Sequence, residues 1–197
     1  MKHLALAAST LLLAMTSAQA QSHGSCNTPI AIEANSGMSL DIESISSGIA
    51  IVGSDRPGIR ISCTLPDSED PDSVSLRVER TGDFGKIKVT GGHMNNLHVR
   101  IEVPKKIGLR LRMAAGQVTV NDVAGDKDIE LEAGQIVVDK VDSTQYHSVR
   151  ASVEIGDVRA AAFGADKGGF FRQFNKDVAG GPYRIHVHVM TGSVELN

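Results

Sequence analysis

The sequence predicts an all-β fold, a β-solenoid or β-helix-like stack of short two-strand rungs, and three observations carry that reading. One glycine-led unit recurs, the residues before most units alternate apolar and polar, and no helical period persists after the first twenty residues. The unit is Gly, any residue, a small or aliphatic residue, any residue, and a second small or aliphatic residue. It occurs as Gly48-Ile49-Ala50-Ile51-Val52, Gly85-Lys86-Ile87-Lys88-Val89 and Gly116-Gln117-Val118-Thr119-Val120. It returns as Gly134-Gln135-Ile136-Val137-Val138, Gly156-Asp157-Val158-Arg159-Ala160 and Gly192-Ser193-Val194-Glu195-Leu196. From residue 116 onward these glycines step by 18, 22 and 36, the last step being about two units.

Taken from the N-terminus, the chain first shows an export signal. Lys2 gives a short positive start, Leu4 to Met15 an apolar core, and Ala18-Gln19-Ala20 the small residues of a signal-peptidase site. Cleavage is expected after Ala20, which makes residues 1–20 a signal peptide and 21–197 a single domain. The apolar run is shorter than the roughly 20 residues a membrane-spanning helix needs, and no later stretch is longer. A lipid anchor on Cys26 would want an aliphatic residue three positions earlier, where His23 stands. Cys26 and Cys63 are the only cysteines, and in an exported chain they are expected to form a disulfide.

The strands before the glycine units follow in order. Leu97 to Val103, Leu109 to Arg112, Ile129 to Glu132, Val149 to Val153 and Tyr183 to Val189 each alternate, so one face is buried and the other wet. Glycine between two such strands lets the chain turn a corner. A rung of this kind cannot bury its apolar face alone, and stacked neighbours can. A β-sandwich is the alternative architecture, because regularly spaced short strands fit it too. Gly, Val, Ile and Asp dominate, Trp is absent and aromatics make up 4%, in keeping with strands and turns.

Leu40 to Pro57, the stretch from Val103-Pro104-Lys105 into the units at 116 and 134, and the close from Gly181 to Leu196 resemble the bacterial putative-adhesin domain family. That resemblance covers nearly all of residues 21–197. It implies a right-handed β-solenoid-like domain at or outside the cell envelope, with the close as its terminal rung. It brings no catalytic residues with it.

Charge and motifs narrow the function further. The net charge of −3 becomes −4 once Lys2 is removed, too little to recruit nucleic acid or an anionic membrane. No nucleophile elbow, phosphate loop, dinucleotide fingerprint or zinc-protease motif occurs. No catalytic set, cofactor or metal site is therefore assigned. His186 and His188 are the weak metal candidates: they share an outer face, with Glu154 as a third ligand from a neighbouring rung. Their plainer reading is a solvated polar face. Asp139, Asp142 and Asp157 read as corner residues that make turns through their own side chains. Arg110 and Arg112 are expected to face Glu130 and Glu132 across the ladder. Phe163, Phe170, Phe171 and Phe174 hold four of the five phenylalanines, as a cap over the end of the stack or as a patch for a partner.

These readings point to an exported, non-enzymatic, adhesin-like domain, periplasmic or at the cell surface. Its role would be structural or binding, toward an envelope protein or a surface polysaccharide. A polysaccharide lyase or hydrolase on a β-helix is one alternative. An envelope-stress signalling accessory domain is the other.

Overall fold

The computed structural model describes residues 19–91 and 96–197, with side chains for all of these except residues 19 and 167–171. Residues 1–18 of the expected signal peptide, and His93, lie outside the described residues. The strands are β1 (Gln19–Gly24), β2 (Ile30–Ile32), β3 (Ser39–Ser54), β4 (Ile59–Thr64), β5 (Val74–Thr81) and β6 (Phe84–Gly91). They continue as β7 (His98–Pro104), β8 (Gly108–Asn121), β9 (Lys127–Asp139), β10 (Tyr146–Ala160), β11 (Ala165–Asp177) and β12 (Tyr183–Leu196). All twelve join one open sheet whose main path runs β1-β5-β6-β3-β8-β9-β12-β10-β11, while β2, β4 and β7 branch from β3. The chain is all-β.

Five strands form the middle of the sheet. β3, β8, β9, β12 and β10 are parallel neighbours in register, and each bends near its centre. The register aligns Ser47, Gly116, Gly134, Gly192 and Gly156 in one row at the bends. Before that row the buried positions of β8 are Leu109, Leu111 and Met113, and after it Val118 and Val120. The period of two therefore skips one residue at the bend. β9 makes the same skip between Leu131 and Ile136, and β12 between Val189 and Val194. Each limb thus keeps its apolar side inward, and both limbs feed one continuous core.

The connections follow from that bend. Only residues 122–126 separate the end of β8 from the start of its parallel neighbour β9. A straight strand would need a crossover of a dozen residues or more. Here the bent strand brings its own end back toward its start, and Leu109 N–H donates to Asp126 C=O at 2.7 Å.

Three expectations change. Gly48 lies one residue beyond the corner, where Ser47 takes the row position opposite Gly116. Gly85 lies near the start of β6 opposite Arg80, in a hairpin ladder and not at a bend. The third concerns the close of the chain, which is not the terminal rung, because β12 sits between β9 and β10. The long step from Gly156 to Gly192 is taken up by β11, which turns back and pairs antiparallel with β10 at the sheet edge.

Cys26 and Cys63 are joined by a disulfide, with Cα atoms 4.9 Å apart. The bridge pins the turn after β1 to β4, closing a loop with a sequence separation of 37. The chain-entropy model gives such a loop about 4 kcal/mol of stabilisation. A Cys26→Ser/Cys63→Ser chain should therefore unfold at clearly lower urea, and an unchanged midpoint would show that the bridge contributes nothing.

Among the described residues one basic side chain, that of Lys127, lies in the core. Lys127 is 1% exposed and occupies the apolar row between Leu109 and Ile185. Its Nζ donates to Gly125 C=O at 2.9 Å and to the Tyr146 hydroxyl, and lies 4.7 Å from the Tyr146 ring centre. Tyr146 in turn donates to Val123 C=O at 3.2 Å. Burial pushes Lys127 down to about 7, with Asp126 opposing the shift. The Tyr146 hydroxyl is pushed up, again by burial first.

Candidate functional site

The outer side of the first limbs carries two rows of charge. Their order follows from alternation along each strand and register between strands. One row reads Glu79, Lys86, Asp41, Arg110, Asp128, His186, Arg150 across seven strands. The second reads Arg77, Lys88, Glu43, Arg112, Glu130, His188, Ser152. Opposite signs alternate along most of both rows, which fixes register and opposes edge-to-edge association.

The ion pairs differ from the expected ones by a shift in register. Arg110 faces Asp128, and Arg112 faces Glu130; Glu132 lies beyond both. Arg112 bridges two carboxylates, with Nη2 at 3.0 Å from Asp128 Oδ2 and Nε at 2.9 Å from Glu130 Oε2. For Asp128, burial opposes the charged form, but hydrogen bonds from His186 and Arg112 outweigh it and hold the carboxyl below its ordinary value. A similar pair joins Lys86 Nζ to Glu43 at 2.7 Å, and that hydrogen bond lowers the Glu43 carboxyl. Exposed pairs of this kind contribute at most about 1 kcal/mol each, so the rows matter more as a patterned surface than as a source of stability.

The two histidines do share the outer face of β12. His186 Nδ1 donates to Asp128 Oδ1 at 3.0 Å. His188 Nδ1 lies 2.9 Å from the Ser152 hydroxyl, and its Nε2 lies 4.0 Å from Glu154. The expected neighbour Glu154 is therefore close to His188. The tighter cluster, however, forms around His186 with Asp128 and Glu130, whose ligand atoms lie within 4.8 Å of one another. Asp128 was not among the sequence candidates. Extending the alternation of Ile129-Glu130-Leu131 back by one residue places it outward.

At the bend the face opens into a groove of about 390 Å³, lined by Ser44, Arg112, Ala114, Glu130, Glu132, His188 and Met190 among others. Exposed apolar residues gather at the same bend: Ile45 is 63% exposed and Met190 47%. Charged rims and apolar steps thus meet along one line across several strands.

The phenylalanine stretch divides. Phe174 on β11 is buried and Phe163 partly buried, with ring centres 5.9 Å apart, and both pack onto the core at the β10–β11 edge. The side chains of Phe170 and Phe171 lie outside the described residues. Asp142 caps a short 3-10 turn through Thr144 N–H at 3.0 Å, and Asp139 accepts from Asn197.

Fold and face together define a class: an all-β chain with a charge-patterned outer sheet surface. No family model matches the chain, and no curated protein matches it. Among solved structures it is similar to a putative cell adhesion protein from Clostridium sporogenes ATCC 15579. The likeness has 10% identity and a TM-score of 0.46, covering 92% of this chain and 99% of that one. At that level the likeness assigns neither family nor partner.

Proposed function

We propose that this chain is an exported, non-enzymatic, adhesin-like domain that binds an extended polymer, a surface polysaccharide, at the cell envelope. The observation that carries the reading is the line of groove and charge on the outer face. It crosses the parallel strands β3, β8, β9 and β12, with cationic and anionic positions alternating at the strand spacing of about 4.8 Å and exposed Ile45 and Met190 beside them. An extended chain with a regular repeat can meet such a surface at several points at once, each contact weak and their sum specific.

The parallel, in-register middle strands and their short returns support a short solenoid capped by the β10–β11 hairpin, in preference to a sandwich. Export after Ala20, with residues 21–197 as the released domain, fits the Cys26–Cys63 disulfide, since such bonds persist in oxidising compartments. Among the described residues no helix is long and apolar enough to cross a membrane.

The test is a glycan array carrying acidic and neutral bacterial surface polysaccharides, probed with the labelled chain and with Met190→Glu. Met190 is exposed, so that variant should fold normally. The expected result is saturable binding to at least one polysaccharide, reduced about tenfold or more by Met190→Glu, which corresponds to about 1.4 kcal/mol. Silence across the array, or equal binding by both chains, overturns the proposal. Release of cleaved sugars would replace it with the enzymatic alternative.

A further inference from the structure

Adjacent strands β9 and β12 place four ligand-type side chains in a two-by-two grid. Asp128 and Glu130 point outward from β9, His186 and His188 from β12, and the register sets Asp128 beside His186 and Glu130 beside His188. Both strands are interior to the sheet, flanked by β8 and β10, so the backbone under the grid is held on both sides. Arg112 takes Oδ2 of Asp128 and Oε2 of Glu130. That leaves Asp128 Oδ1, already 3.0 Å from His186 Nδ1, and a ligand atom of Glu130 lies within 4.8 Å of those of both partners.

We propose that Asp128, Glu130 and His186 form a binding site for a divalent transition-metal ion of the zinc class, with His188 next along β12 as an additional donor. Imidazole with carboxylate suits zinc, nickel or copper better than calcium or magnesium, which take all-oxygen sets. Three protein ligands also match the open zinc arrangement, in which water takes the fourth position.

Ligand bonds near 2.0–2.2 Å require the three donor atoms to draw together from their present separation of up to 4.8 Å. Rotation of the Glu130 side chain, which has three torsions and is half-exposed, supplies that movement without shifting a strand. The ion would take the place of the hydrogen bond between His186 Nδ1 and Asp128 Oδ1, with the neutral imidazole carrying its proton on Nε2. Two carboxylates against one guanidinium leave the pocket with a net negative charge to receive a dication. Arg112 is then an outer-shell group that orients both carboxylates, the usual arrangement behind metal ligands. This site does not depend on the polysaccharide reading, and either can fail alone.

The experiment is a calorimetric titration of Zn²⁺ into the metal-free purified chain at pH 7.5, alongside His186→Ala, Asp128→Asn and His147→Ala. His147 is exposed and bonds to Gly181 C=O, away from the grid. Wild type and His147→Ala should each take one saturable ion. His186→Ala and Asp128→Asn should each weaken it by more than about tenfold, beyond the lower end of outer-shell effects. Co²⁺ should give a visible absorption band in the wild type that His186→Ala lacks, and unfolding curves of the metal-free variants verify that they fold. No saturable ion in the wild type overturns the site. So does equal affinity in His186→Ala, or loss in His147→Ala as large as in His186→Ala.

Discussion

Gly192→Ala should destabilise the chain by at least about 4 kcal/mol, at the exceptional end for a single substitution, and Gly192→Val should yield no soluble folded protein. Gly192 has φ +143°, where a side-chain-bearing residue is strained. The larger effect is contact. A Cβ at Gly192 would lie 1.7 Å from the carbonyl oxygen of Gly134 on the next strand. The row repeats the problem, since a Cβ at Gly134 meets Gly116 O at 1.8 Å and one at Gly156 meets Gly192 O at 1.7 Å. These are backbone atoms inside a hydrogen-bonded ladder, so neither partner can move without separating two strands. Ser47 is the informative control. It ends the row, where β3 turns from pairing β6 to pairing β7, and its hydroxyl pairs with Ser44 at 3.0 Å. Ser47→Gly should cost only about 1 kcal/mol. Urea unfolding of the set decides the matter, and a Gly192→Ala midpoint equal to wild type would refute the account.

That row also shows what a sequence can display and what it cannot. The glycines at 116, 134, 156 and 192 were recognisable as corners because each separates two alternating runs. The skipped residue between Met113 and Val118 is visible in the same way. Lateral order was not visible. Alternation states which way a side chain points, and says nothing of which strand lies beside it. The pairing of β12 with β9 joins residues 58 apart in sequence, such as His186 and Asp128. Insertion of the last strand between two earlier ones leaves no mark on any single segment. The proposed metal cluster is therefore half legible: alternation alone places His186 and His188 outward together, and only register sets Asp128 beside His186. The Arg112 pairs missed by two residues for the same reason. Ser47 is hidden in the sequence because a serine interrupts the row of glycines, although its neighbours Ile49 and Ile51 carry the correct parity.

Lys127 is the remaining departure from pattern, and its consequence is a stability that climbs with pH. The residue stands in an apolar row, paired to Leu109 and Ile185, with Asp126 acting on its charge, Tyr146 bonded to its amine and Tyr183 against the Tyr146 ring. The amine's folded-state value lies at about 7, against 10.5 for a lysine in water. Below pH 7 the amine is protonated whether the chain is folded or not, and the full cost of burying the cation is borne. Between pH 7 and 10.5 the folded chain holds a neutral amine while the unfolded chain still binds the proton. The unfolded state then carries more protons, so folding stability rises with pH across that window. The gain is up to about 5 kcal/mol at 1.36 kcal/mol per pH unit. Lys127→Met keeps most of the volume and removes the titration, at the cost of the bond to Gly125 C=O. In metal-free buffer the variant should be the more stable chain at pH 6, by a few kcal/mol. That advantage should shrink steadily toward pH 10, as surface groups titrate equally in both chains and cancel in the difference. Parallel denaturation curves at pH 6, 8 and 10 test this directly. A difference between the two chains that stays constant across the series would mean that Lys127 keeps its proton in the folded state, held by Gly125 C=O and the face of Tyr146.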